Sequence, residues 1–299
     1  MRRRGSVGSI MVLVFLASTS LFAHGGHRGH GVNMTLGGDS PFTSCSQVRI
    51  EYHGTGTIRG EQTLTVPGSS PLRISAAKNG GIGVQGHAGA NYEIQLCKAA
   101  AADSGISLDQ VTARLSGGEL TVDGPARGEW TAYLIVMAPR NATLALESTN
   151  GPISLYEVSG DLEANAVNGP IGIKGVSGAL RATAQNGPIS IARSSGDLRV
   201  ETRNGPLSVK LDGMSWEGKG LDARTKNGPL SLQIPDGYRS GVVVEALGRG
   251  PVNCKAEGCY QRLRHRDEDE GTRRIELGGA RQAVYLSTVN GPVSVKSAK

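Results

Sequence analysis

From Leu144 onward, apolar residues alternate with polar ones in two short runs, and the pair of runs returns at an eighteen-residue period. The unit LALESTNGPISLYEVSGD (Leu144–Asp161) is followed by LEANAVNGPIGIKGVSGA from Leu162 and LRATAQNGPISIARSSGD from Leu180. It begins again at Leu198, Leu221, Val243 and Val284. In the first run, positions one and three are apolar: Leu144 and Leu146, Leu162 and Ala164, Leu180 and Ala182, Leu198 and Val200, Leu221 and Ala223. Glu163, Arg181, Arg199 and Asp222 stand between them, and position five is small (Ser148, Ala166, Ala184, Thr202, Thr225). Period two predicts a strand with one apolar face and one wet face. The second run, Ile153/Leu155, Ile171/Ile173, Ile189/Ile191, Leu207/Val209 and Leu230/Leu232, predicts a second strand, with Tyr156, Lys174, Lys210 and Gln233 outward.

The two runs are joined by Asn150-Gly151-Pro152, Asn168-Gly169-Pro170, Asn186-Gly187-Pro188, Asn204-Gly205-Pro206, Asn227-Gly228-Pro229 and Asn290-Gly291-Pro292, with Arg249-Gly250-Pro251 as a variant. These read as structural turns. Asn and Gly accept positive φ at a corner, and Pro, which has no N–H, is tolerated where a strand begins. Stacked asparagines can also satisfy one another as a side-chain ladder. Such a period predicts stacked repeats. The expected fold is therefore all-β: a parallel β-solenoid of about seven two-stranded coils over residues 141–299, with the repeat from Val284 at its open end. Residues 42–140 are strand-rich but irregular and are expected to form an N-terminal β-rich cap.

Unit starts are 18 residues apart as far as Leu198, then 23, 22 and 41 apart. The added residues fall after the second strand and bring Trp216, then Tyr238 and Arg239, then Tyr260 and Arg262 to one corner. Insertions on one edge of a repeat stack often form its binding face. These five are the candidate ligand-binding residues, the aromatics for stacking on sugar rings and the arginines for acidic groups. The competing reading is that the aromatics pack the inserted loops.

Composition narrows the setting. Aromatic residues make up only 4% and glycines number 44, which suits short strands and tight corners over a helical bundle. Arg2–Arg4, the apolar run Ile10–Leu16 and the small residues up to Ala23 read as a signal peptide over 1–23, followed by a flexible His/Gly-rich leader over 24–41. His24, His27 and His30 are read as part of that polar leader, so no metal site and no cofactor is expected. The net charge of +6 falls to +6 − 3 = +3 without the signal arginines, which argues against nucleic acid as a partner. No later apolar run is long enough for an integral membrane segment. The expected location is outside the cytoplasm: periplasm, cell surface or medium. Four cysteines in that setting predict two disulfides, Cys254 with its near neighbour Cys259 and Cys45 with Cys97. Their separations are not Cys-x-x-Cys, which disfavours zinc.

The repeated Asn-Gly-Pro-Ile/Leu-x-Ile/Val unit, with its trailing Val/Ser-Ser-Gly-Asp/Ala, resembles the bacterial "putative adhesin" family of unknown function. Many members of that family carry Asn-Gly-Asp where this chain has Asn-Gly-Pro. The likeness runs from about Leu134 to Lys299. It implies a β-solenoid and an adhesin-like role, some relatives being linked to envelope stress, and it brings no catalytic residues with it. The expected function is an exported, non-enzymatic binding or scaffold protein of the cell envelope, with a cell-surface glycan or envelope protein as partner. An envelope-stress sensor or regulator is the alternative. A polysaccharide-active β-helix enzyme is less favoured, because Glu163, Asp197, Glu201 and Asp222 are scattered among Arg181, Arg199 and Arg224.

Overall fold

The computed structural model describes residues 19–21, 32–36, 42–77, 79–259, 272–279 and 281–298. The chain is all-β, and two eleven-stranded sheets hold most of it. The first runs, in spatial order, Val252–Lys255, Val293–Ser297, Leu230–Ile234, Leu207–Lys210, Ile189–Ala192, Ile171–Lys174, Ile153–Tyr156, Gly81–Gly86, Trp130–Ala138, Asn91–Ala101, Thr57–Pro67. The second runs Arg273–Leu277, Gly241–Ala246, Gln282–Asn290, Gly220–Asn227, Asp197–Asn204, Ser177–Asn186, Ser159–Ala166, Ala142–Ser148, Leu72–Ser75, Glu119–Asp123, Thr112–Ser116.

This corrects the expectation of a parallel β-solenoid of about seven coils with a cap. Both sheets are mixed. Asn91–Ala101 pairs antiparallel with Thr57–Pro67 on one side and with Trp130–Ala138 on the other. Thr112–Ser116 with Glu119–Asp123, and Gly241–Ala246 with Arg273–Leu277, are antiparallel as well. The physical reason lies in the connections. Thr112–Ser116 and Glu119–Asp123 are joined by a short turn and so must pair antiparallel, while the other antiparallel pairs join strands far apart in the sequence, where a long connection lets the chain return in either direction. Residues 57–138 thus contribute full strands to the two sheets instead of sitting over their ends. Only between those ends do neighbouring repeats pair in parallel and in register, as Leu162 with Leu180 and Ile171 with Ile189.

The two sheets share one core. Leu144, Leu162, Leu180 and Leu198 of the second sheet face Ile153, Ile171, Ile189 and Leu207 of the first, all within one buried cluster. At one end Gln62 ties the sheets together. Its side-chain amide donates to Ala113 O at 3.1 Å and accepts from Ala113 N–H at 2.9 Å, substituting for a peptide group at the two edges.

The Asn-Gly-Pro corner works differently from the sequence reading. Neither the asparagines nor the glycines of these triplets have positive φ. Gly is needed instead for close approach: a Cβ on Gly169, Gly187, Gly205 or Gly228 would run into the carbonyl oxygen of the glycine one layer away. Buried hydroxyls complete the accounting, Thr202 Oγ1 donating to Gly187 O at 2.8 Å and Thr225 Oγ1 to Gly205 O at 2.9 Å. The asparagines do form a ladder. Nδ2 of Asn168, Asn186, Asn204, Asn227 and Asn290 each donates to the Oδ1 of the preceding asparagine at 2.8–3.0 Å. Positive φ belongs to the opposite corner, at Gly160, Gly178 and Gly196.

The final repeat is not at the open end. Gln282–Asn290 pairs in parallel with both Gly220–Asn227 and Gly241–Ala246, and Val293–Ser297 with both Leu230–Ile234 and Val252–Lys255. It is inserted between the two repeats that precede it in sequence. The outermost place goes to residues 241–255, with Arg273–Leu277 as an antiparallel edge on the second sheet.

A three-stranded antiparallel sheet, Thr19–Leu21, Val32–Leu36 and Val48–Tyr52, is also present. Val48, Ile50 and Tyr52 pack on Cys97, Ala99, Ala101, Tyr133 and Ile135, covering the outside of the first sheet at one end. Cys45 is disulfide-bonded to Cys97 there, and Cys254 to Cys259 at the far end, as the sequence predicts.

Candidate functional site

The first two insertions meet. Arg239 N–H donates to Met214 O at 2.8 Å, and Trp216 N–H donates to Ser240 Oγ at 2.9 Å. The Trp216 ring packs against the core, with its indole N–H donating to Gly196 O at 3.0 Å. Tyr238 is 7% exposed, and burial pushes its phenol up to about 12, with the nearby Asp212 carboxylate adding to the rise. Arg239 is exposed. The structure therefore brings Trp216 and Tyr238 to one corner with much of their surface used in packing, while Arg239 remains in solvent. Tyr260 and Arg262 lie outside the described residues.

A pronounced depression lies elsewhere. An open groove of about 670 Å³ crosses the outer face of the second sheet, near the corner where first strands begin. It runs over Arg73, Thr143–Ala145, Asp161–Glu163, Ala179–Arg181 and Asp197–Arg199, and the turn at Gly117-Gly118 with Pro71 closes one end. At about 4.8 Å per strand, five strands give a track of roughly 20 Å. The depression has a sequence cause. In the outward columns, Ala145 and Ala179 are small where Arg73, Glu163, Arg181 and Arg199 are long, so the long side chains wall a floor of alanine, threonine and backbone.

Four carboxylates (Glu119, Asp161, Glu163, Asp197) and three guanidiniums (Arg73, Arg181, Arg199) line this groove. Arg73 is held by Glu147 at 3.0 Å, and Glu163 accepts from Asn165 Nδ2 at 3.0 Å. Asp197 is shared between Arg199 at 3.9 Å and Lys219 at 3.6 Å, so the first insertion reaches the far end of the groove. Arg181, exposed in the middle, makes no ion pair among the described residues. Such a surface presents acceptors for hydroxyl groups along its length and one free guanidinium for an acidic or carbonyl oxygen. No group of three or more His, Cys, Asp or Glu suited to a metal ion occurs among the described residues. No helix there is long and apolar enough to cross a membrane. Sequence reasoning classed Glu163, Arg181 and Arg199 as solubilising positions and missed the groove. The available signal was Ala145 among the long Arg73, Glu163, Arg181 and Arg199 in one outward column, beside Thr143 and Ala179 among Asp161 and Asp197 in the next.

No family model and no curated protein matches the chain. Among solved structures it is similar to a "putative cell adhesion protein" from Clostridium sporogenes, at 10% identity and a TM-score of 0.30, over 81% of this chain and 100% of that one. A "putative adhesin" from Bacteroides fragilis follows at 9% identity and TM-score 0.42, over 80% and 97%. A "putative lipid binding protein" from Parabacteroides distasonis gives 9% and 0.39, over 83% and 98%. At these identities and scores the likenesses carry no functional argument for this chain.

Proposed function

We propose that this is an exported, non-enzymatic binding protein of the cell envelope, whose groove on the second sheet holds an extended hydroxyl-rich ligand such as a glycan chain. The observation that carries this is the charged track over five neighbouring strands, with Arg181 exposed in it and making no ion pair among the described residues. Export is supported by the two disulfides, which persist in oxidising compartments. A rigid sheet bearing fixed side chains in columns suits binding of a linear chain, because successive units of the ligand meet successive strands. Trp216 and Tyr238 have their surfaces engaged in the insertions, so the ligand is placed in the groove and not on them. The test is retention on a glycan array by the wild type and by Arg181→Ala and Glu163→Gln. Both side chains are exposed, so unfolding curves should stay unchanged while retention of the bound glycans falls about tenfold, on the order of 1.4 kcal/mol. Unchanged retention by both variants would remove the groove from consideration. Steady release of new sugar ends by pure protein would overturn the non-enzymatic reading.

A further inference from the structure

The outer face of the first sheet has a different character from the groove face. At one end it is apolar and covered, by Val48, Ile50 and Tyr52 over Tyr133 and Ile135. From Ile153–Tyr156 to Val252–Lys255 no described element packs over it, and none of its seven strands contains an Asp or a Glu. One outward column is mostly serine, with Ser190 and Ser208 exposed. The neighbouring column carries Lys174, Lys210, Lys296 and, on the edge strand, Lys255, aligned by the parallel register. Lys210, Lys255 and Lys296 are exposed and make no ion pair among the described residues. The second sheet interleaves acidic and basic residues and pairs several of them, as in Arg73–Glu147, Arg224–Asp222 and Arg274–Glu245. These seven strands of the first sheet carry basic side chains and no acidic ones.

We propose that this face docks a linear acidic polysaccharide. The lysines stand in a straight row, not a cluster; Lys174 lies over the Tyr156 ring at 5.2 Å, and Lys210 and Lys296 are two strands apart, or about 9.6 Å at about 4.8 Å per strand. That spacing is close to the length of two linked pyranose rings, so a chain with one acid group per disaccharide meets one ammonium per repeat. The serine column beside the row supplies hydroxyls to the sugar hydroxyls. A lipid surface fits less well, because these seven strands direct their aliphatic side chains mostly inward and none of their large apolar side chains is exposed, Tyr156 being half-buried beneath Lys174. Each exposed ion pair is worth little alone. Affinity therefore comes from several pairs engaged along one polymer and falls steeply with salt.

The proposal stands apart from the groove, which lies on the opposite sheet, and the experiment keeps the two separate. Hyaluronan oligosaccharide, which carries one carboxylate per disaccharide, is titrated into the full chain at low salt by calorimetry, with neutral dextran as the comparison. Hyaluronan should bind and dextran should not. Lys210→Gln with Lys296→Gln should weaken binding by at least about tenfold. Arg203→Gln with Lys226→Gln removes the same charge from exposed positions on the other sheet and should change binding by less than about twofold. All four side chains are exposed, so thermal unfolding should be the same in each variant. The proposal is overturned by absent hyaluronan binding, by equal losses in the two double variants, or by loss of binding in Arg181→Ala. It is also overturned if the lysine pair governs binding to phosphatidylglycerol vesicles while hyaluronan is not bound.

Discussion

At the scale of single residues, the Asn-Gly-Pro corner shows how one position can be fixed by its neighbours in space. Gly187 has ordinary backbone angles, yet any side chain there would meet Gly169 O one strand away. Gly187→Ala should therefore cost about 3 kcal/mol, at the upper end for overpacking, because the backbone it meets at Gly169 and Pro170 is held in the stack and cannot turn aside as a side chain could. Urea unfolding measures this, and a loss no greater than that of an ordinary surface substitution would contradict the close-approach account. Tyr238 gives a prediction in pH. Burial raises its phenol in the folded state to about 12, whereas an exposed tyrosine titrates near 10. The unfolded chain loses this proton first, so the contribution is present below about pH 10 and is lost as pH rises to about 12. Tyr238→Phe should flatten part of that decline in unfolding free energy. Burial raises Tyr52 and Tyr133 as well, so some decline should remain.

At the scale of elements, equivalent repeats are not placed in sequence order. The run that aligns with Val284 begins at Val242, one residue before the start read from the sequence, and in that phase both runs have the same alternation and match the edge of Gly220–Asn227 in pattern. The structure gives that edge to the later one. The later repeat keeps the full Asn290-Gly291-Pro292 corner, and Asn290 continues the ladder to Asn227 at 2.9 Å. The earlier repeat has Arg249 in the asparagine column and so cannot extend the ladder inward. Its outer edge is instead paired by Arg273–Leu277, and Arg274 reaches Glu245 at 2.9 Å across that pairing. The same scale explains the groove. Each strand contributes one or two outward residues of no distinction, and only two adjacent columns together, Ala145 with Glu163 and Arg181 in one and Asp161 with Ala179 in the other, make a depression.

At the scale of the whole molecule, the Cys45–Cys97 disulfide joins the covering sheet to the first large sheet across a separation of 52 residues. In the chain-entropy model such a loop stabilises by about 4 kcal/mol. Cys45→Ala with Cys97→Ala should lower the unfolding midpoint in urea by a corresponding amount. It should also raise protease sensitivity first around Val48–Tyr52, and an unchanged midpoint would mean the cover holds by apolar packing alone. By itself, the sequence determined the strands of the repeat, their inward residues, the two disulfide pairings and the asparagine ladder. Each of these follows from local alternation, from a column of identical residues or from cysteine proximity. Tertiary structure alone decided that antiparallel strands at both ends mix the sheets, that the last repeat is inserted between its two predecessors and that the triplet glycines serve close approach. It also decided which outward charges find ion-pair partners and which, like Arg181 and Lys210, make none among the described residues. The physical reason is common to all four. Strand pairing and surface charge balance depend on which segments become neighbours, and an eighteen-residue pattern repeated with little variation is compatible with more than one set of neighbours.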